Sequence, residues 1–266
     1  MIRGVIFDLD GTIYRGEALI PGAAEALEAL AGAGIGRVFL SNKPLERPCA
    51  YAAKLTRLGI PTSPAEVINS ARVLAVYLRQ AMPGARLFVV GEPPLKEELA
   101  EAGLRIVEDS AAVDCVVLAF DRTFDYRKLN LAFQAVKYHG ARLVATNADR
   151  SCPVDGGEVP DAAGMIAAVE ATTGRKVELV AGKPSPLVVE AALAHLGVQP
   201  EEALMVGDRL ETDMAMGRSA GIRTALVLSG VTSLRDLQRS AERPDYVWES
   251  VADLPAALGL GEARLA

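Results

Sequence analysis

Two apolar tetrads far apart in the chain, Gly4-Val5-Ile6-Phe7 and Ala203-Leu204-Met205-Val206, each run directly into an acidic turn. A short, unbroken apolar run of this kind reads as a strand buried on both faces. After the first, Pro21-Gly22 opens an Ala/Leu-rich helical stretch that stops near Gly32 and Gly34, and the strand Arg37-Val38-Phe39-Leu40 follows. After the second, a helix over about 212–220 leads to Thr224-Ala225-Leu226-Val227-Leu228. Strand, helix, strand alternation predicts a parallel sheet covered by helices.

The middle of the chain has its own alternation, with strands expected at 87–90, 115–119 and 143–145 and helices near 95–102, 126–138 and 162–172. It reads as a second, smaller α/β unit. Turn-prone or polar boundaries stand at Met82-Pro83-Gly84 and Gly174-Arg175-Lys176. A length of 266 residues fits one large domain or two smaller ones, and 50% hydrophobic with 23% charged residues excludes a disordered or fibrous chain.

With 28 basic against 34 acidic residues, the net charge of −6 leaves no basic excess to hold a polyanion, so nucleic acid is not an expected partner. Cys49, Cys115 and Cys152 are odd in number and far apart, which argues against a disulfide scaffold or zinc site and for a reducing cytoplasm. The first apolar stretch is broken by Arg3 and lacks the form of a signal peptide. No apolar run nears the roughly 20 residues of a membrane span, so no membrane partner is expected.

Four constellations carry chemistry. Asp8-Leu9-Asp10-Gly11-Thr12 places two carboxylates at a strand's carboxyl end, with Gly11 allowing a sharp turn; a turn-capping acidic loop has the same composition. Ser41-Asn42-Lys43-Pro44 offers a hydroxyl and backbone N–H groups to an anion, or equally a helix N-cap. Gly182-Lys183-Pro184-Ser185-Pro186 fixes one lysine between rigid neighbours, before a proline-started helix. Gly207-Asp208, with Asp213 five residues on, suits a hard cation that prefers carboxylate oxygens, although Thr212 or Asp213 also fits an N-cap.

All four follow expected strands, so in one parallel layer they should meet at one sheet edge, where open α/β sheets bind ligands. Asp8, Asp10, Asp208 and Asp213 would repel one another there unless cations intervened. Lys183 and a divalent metal supply that charge, which makes the edge a metal and phosphate site.

In this order the motifs resemble those of the haloacid dehalogenase superfamily, specifically its magnesium-dependent phosphatases of the NagD-like, p-nitrophenylphosphatase-like group with a C2-type cap. Tyr14-Arg15-Gly16, Ile20-Pro21-Gly22-Ala23, Ala145-Thr146-Asn147-Ala148-Asp149 and Pro244-Asp245-Tyr246-Val247 extend the resemblance over nearly the whole chain. The resemblance implies a Rossmann-like core with a parallel sheet, placed at residues 1–80 and 178–266, and an inserted α/β cap at 81–177. Ser41 and Lys183 stand 142 positions apart, too far for one crossover, which also requires an insert.

By the same resemblance Asp8 is the nucleophile and Asp10 the general acid/base. Mg²⁺ bridges Asp8 and the phosphoryl oxygens, with Asp208 and the Asp10 main-chain carbonyl as further ligands and Asp213 supporting the metal. Ser41, Asn42 and Lys183 hold the phosphate, and the partner is a small phosphate monoester, with a homo-oligomer left open.

The insert is expected to cover the catalytic edge, and its 147–157 loop, with Asn147, Asp149, Arg150 and Asp155, to help select substrates; a plain solvated turn is the competing account. Two departures from the group stand out: Lys43-Pro44 where a second Asn is frequent, and Pro160-Asp161-Ala162-Ala163-Gly164 for the more usual Pro-Gly-Ala-Gly. His139, His195 and Trp248 are expected in structural roles. The competing functions are a phosphomutase, which returns the phosphoryl group to substrate, and a catalytically idle protein that binds a phosphometabolite.

Overall fold

The computed structural model describes residues 1–154 and 156–260, so Asp155 of the expected cap loop lies outside the described residues. Contacts divide the chain into two units, one of Met1–Ser41, Pro48–Ile68 and Val189–Ala266 and one of Asn42–Arg47 and Asn69–Val188. The divisions fall at 68/69 and 188/189, compared with 80/81 and 177/178 in the boundaries expected from sequence.

The first unit is built on a six-stranded sheet in the order Tyr246–Trp248, Arg223–Val227, Ala203–Gly207, Gly4–Asp8, Gly36–Ser41 and Val67–Asn69. Gly4–Asp8 is central: it pairs in parallel with Ala203–Gly207 on one side and with Gly36–Ser41 on the other, Phe7 lying opposite Val206 and Phe39. Every residue of Gly4–Asp8 and Ala203–Gly207 is buried, as a parallel strand covered on both faces requires. Phe7 and Phe39 stack at 5.9 Å between ring centroids, and burying each ring is worth about 2–3 kcal/mol. The helix Ala23–Gly32 turns Ala23, Ala26, Leu27 and Leu30 inward, the i, i+3, i+4, i+7 stripe of an amphipathic helix. It ends where Gly34, at φ +69°, reverses the chain and Ile35 N–H bonds to Leu30 C=O.

The second unit carries a five-stranded parallel sheet in the order Leu179–Val180, Arg142–Ala145, Cys115–Leu118, Arg86–Val90 and Arg105–Ile106. Its helices include Pro93–Glu101, Tyr126–His139 and Ala162–Thr173, close to the expected spans. Asp125 caps Tyr126–His139 by accepting from Lys128 N–H, and Gly140 ends that helix at φ +74°.

Three expectations are corrected. Leu179–Val180, expected in the sheet that carries Asp8, pairs instead with Val144 and Ala145 of the second sheet. The 147–157 loop is largely a hairpin, Ser151–Val154 antiparallel to Gly157–Pro160. The helix expected over 212–220 is a π-helical turn, Leu210–Met214, followed by a short α-helix, Ala215–Ser219. Trp248 packs in the core of the first unit, whereas His139 and His195 are exposed near their helix ends.

One buried ion pair stabilises the second unit. Asp121 is fully buried and accepts from Thr123 N–H, Thr123 Oγ1 and, at 2.6 Å, Lys128 Nζ. Burial pushes its carboxyl pKa up, but the bonds from Lys128 and Thr123 outweigh this and hold it below the usual range. A depressed carboxyl stabilises the fold above its unfolded pKa, near 3.9, and that contribution is lost as pH falls through the lower folded value. Asp121→Ala, which removes the counter-ion of Lys128 and leaves it only Thr123 Oγ1 among the described residues, should cost about 3 kcal/mol at pH 7. Thermal unfolding followed against pH should show the gap from wild type closing below about pH 4.

Candidate active site

The central strand ends at Asp8, and the chain then folds tightly on Leu9, whose carbonyl accepts from Ile13 N–H at 2.8 Å and Tyr14 N–H at 3.2 Å. Gly11 sits at φ +90°, in the left-handed region that favours glycine, and its N–H donates to Tyr14 C=O at 2.7 Å. Asp10 is half-buried in this turn. On the neighbouring strand Asp208 follows Gly207 and is fully buried, as is Asp213 in the π-turn beyond it. π-turns recur at functional sites because the extra residue re-aims a side chain. Asp213 Oδ2 accepts from Arg209 N–H at 3.1 Å, which folds the carboxylate back toward the strand end.

Carboxylate oxygens of Asp8, Asp208 and Asp213 lie within 4.8 Å of one another, and Asp10 stands outside this group. At an effective dielectric of about 20, each ionised pair at that separation repels by about 3 kcal/mol. An anionic donor set made only of oxygen, and buried, fits a hard divalent cation such as Mg²⁺, which removes that repulsion.

Glycines make the crowding feasible. A Cβ on Gly11 would stand 2.5 Å from Asp208 Oδ2, one on Gly207 2.5 Å from Asp213 Cγ, and one on Gly230 1.9 Å from Asp208 Oδ2. The 229–232 loop completes the enclosure: Val231 N–H donates to Asp208 Oδ2 at 2.7 Å, and Ser229 Oγ to Gly11 C=O at 2.7 Å. Sequence reasoning missed this loop, although the Ser229-Gly230 dipeptide shortly after an apolar strand is a usable turn signal.

Ser41 ends the strand on the other side of Asp8 and is buried, its Oγ 3.1 Å from the hydroxyl of Tyr51, a residue with no sequence signature. The next helix starts only at Pro48, so neither Ser41 nor Asn42 is its N-cap.

The second unit holds the remaining residues. Lys183 is buried, and the main chain leading into it is held: Ala181 N–H bonds to Ala145 C=O and Gly182 N–H to Thr146 C=O. Asn42 grips Lys183 at two points, with Oδ1 accepting from Lys183 N–H at 2.7 Å and Nδ2 donating to Lys183 C=O at 3.2 Å. Asn42 Nδ2 also reaches Asp149 Oδ2 at 3.1 Å. Asn147, fully buried, donates to Asp149 Oδ2 and to Asp161 Oδ1, whereas Arg150 is exposed. Asp161 caps the helix Ala162–Thr173 and its pKa is raised, chiefly by burial.

The chain is similar to known proteins over nearly its full length. A family model described as haloacid dehalogenase-like hydrolase matches residues 5–105, and one described as HAD-hydrolase-like matches residues 180–254. Sugar-phosphatase AraL of Bacillus subtilis is 40% identical over 251 residues, covering 94% of this chain and 91% of that protein. The crystal structure of a 4-nitrophenylphosphatase from Thermotoga maritima matches with TM-score 0.91 and 38% identity, covering 97% of both chains. NagD from Escherichia coli K-12 matches with TM-score 0.86 and 35% identity, covering 95% of this chain and 98% of that one. On these relatives, and on a parallel sheet whose central strand ends in Asp8, the chain belongs to the haloacid dehalogenase-like hydrolases, among the phosphatases of the NagD-like group.

Proposed function

We propose that this phosphatase hydrolyses small phosphate monoesters with Mg²⁺, through a phosphoryl group carried transiently on Asp8. The observation that carries the reading is the cluster of Asp8, Asp208 and Asp213 oxygens within 4.8 Å at adjacent strand ends. Mg²⁺ would be held by these carboxylates and the Asp10 main-chain carbonyl, and it supplies the positive charge that lets an anionic nucleophile approach a phosphate dianion.

Asp8 attacks phosphorus as a carboxylate, a nucleophile that needs no activating base. The bond from phosphorus to the leaving oxygen breaks as Asp10 gives that oxygen a proton. Asp10 then takes a proton from the water that attacks the phosphoaspartate, releasing inorganic phosphate and free Asp8. Ser41 and Lys183 hold the phosphoryl oxygens, and the Asn42 side chain, engaged with the Lys183 main chain, contributes by orienting that residue.

The sugar-phosphatase and nitrophenylphosphatase relatives support a small monoester as substrate. The three cysteines form no disulfide, which suits a reducing compartment such as the cytoplasm, and burial pushes the Cys115 thiol up to about 12. No described helix is long and apolar enough to cross a membrane.

The test is inorganic phosphate release from a broad monoester panel with Mg²⁺; conversion without phosphate release would mark a phosphomutase, and binding without conversion an idle protein. Asp10→Asn separates the roles further. It should lower kcat on alkyl phosphates by about 10²–10⁴-fold, with a much smaller loss on nitrophenyl phosphate, whose leaving group departs without a proton. Equal losses on both substrates would remove Asp10 as the general acid.

A further inference from the structure

The cap residues Asn147 and Asp149 invite a role in choosing the leaving group, but their hydrogen bonds run the other way. The carboxyl ends of Arg142–Ala145 and Leu179–Val180 continue side by side, placing Asn147 and Lys183 on neighbouring segments. Asn147 Nδ2 donates to both Asp161 Oδ1 at 3.0 Å and Asp149 Oδ2 at 3.1 Å. Asp149 Oδ2 accepts in turn from Asn42 Nδ2, and Asn42 closes the chain by gripping Lys183 N–H and C=O. Ser70 Oγ anchors Asn42 from its other end, donating to its carbonyl at 2.7 Å.

The orientation of the Asn42 amide follows from this arrangement. Lys183 N–H needs an acceptor and Asp149 needs a donor, so Oδ1 and Nδ2 have one assignment that satisfies both. A flipped amide would set a carbonyl oxygen against the Asp149 carboxylate. Nothing larger than hydrogen fits at Gly182, where a Cβ would stand 2.6 Å from Asn42 Oδ1 and from Thr146 C=O.

We propose that Asp149 and Asn147 are positioning residues that orient Asn42 and through it the main chain of Lys183, so that they tune affinity for the phosphate group common to all substrates. The proposal rests on the reading of Lys183 as a phosphate ligand. It also accounts for a polar network buried where a solvated turn would leave these side chains in water.

Inorganic phosphate is the discriminating probe because it has no leaving group. In the full-length protein with Mg²⁺, Asp149→Ala should raise the inhibition constant of inorganic phosphate about tenfold, the size of one charge-assisted hydrogen bond. The ranking of a monoester panel should stay as in wild type. Asn147→Ala should act in the same direction, and Asp149→Asn, which keeps an acceptor for both amides, should restore most of the loss.

The decisive arm is the double-mutant cycle. In a Lys183→Ala background, Asp149→Ala should change phosphate inhibition less than about twofold. A reordered panel with unchanged phosphate inhibition would overturn the proposal in favour of leaving-group contact. An undiminished effect of Asp149→Ala without Lys183 would overturn it in favour of a general structural role. If Lys183→Ala alone leaves phosphate inhibition unchanged, the parent reading of Lys183 falls, an outcome visible before any Asp149 variant is made.

Discussion

Asp8→Asn is expected to lower kcat by about four orders of magnitude or more, the scale on which removal of a covalent nucleophile acts. The substitution keeps size and shape, but an amide oxygen lacks the charge and lone-pair availability to attack phosphorus. Because Asp8 clusters with Asp208 and Asp213, neutralising it also relieves repulsion, so the variant should melt at or above the wild-type temperature without metal. Loss of phosphate release with an undiminished melting temperature separates chemistry from folding. Residual turnover above about 1% of wild type would assign the nucleophile elsewhere.

Metal removal is the second large effect. Chelation should abolish turnover, and Mg²⁺ should restore it. An independent readout is thermal stability: with Mg²⁺ at 100 times its dissociation constant, binding to the folded state alone adds about 2.7 kcal/mol. Asp208→Asn should erase most of this stabilisation by removing one of three clustered carboxylates. Full activity in metal-free protein, or a melting temperature blind to Mg²⁺, would dismantle the assignment.

The parts legible from sequence share a physical origin. Gly4–Asp8, Gly36–Ser41 and Ala203–Gly207 carry short apolar runs that end at Asp8, at Ser41 and just before Asp208, and in a parallel sheet such a stop marks the ligand edge. Local pattern therefore located Asp8, Ser41 and Asp208 together. Leu179–Val180 is only two residues long, so its sheet is decided by pairing with Val144 and Ala145, a tertiary fact with no local trace.

The hairpin Ser151–Val154 with Gly157–Pro160 escaped for another reason. Its strands are only four residues each and both contain proline, which demotes a run to edge strand or non-strand. The π-turn at Leu210–Met214 was illegible because residue propensities do not distinguish it from an α-helical start. Asn42 was legible as a candidate residue, but its partners were not, since they come from segments more than a hundred positions away.

The fence of glycines around Asp208 and Asp213 has an evolutionary reading. At Gly11, Gly207 and Gly230 every amino-acid replacement adds a Cβ inside the space of a carboxylate, so no conservative exchange exists at any of them. The stretch of gene in which a single missense change inactivates the enzyme is therefore wider than its set of reacting groups. In a population of variants, three residues with no chemistry of their own should be purged as strictly as the acids they surround.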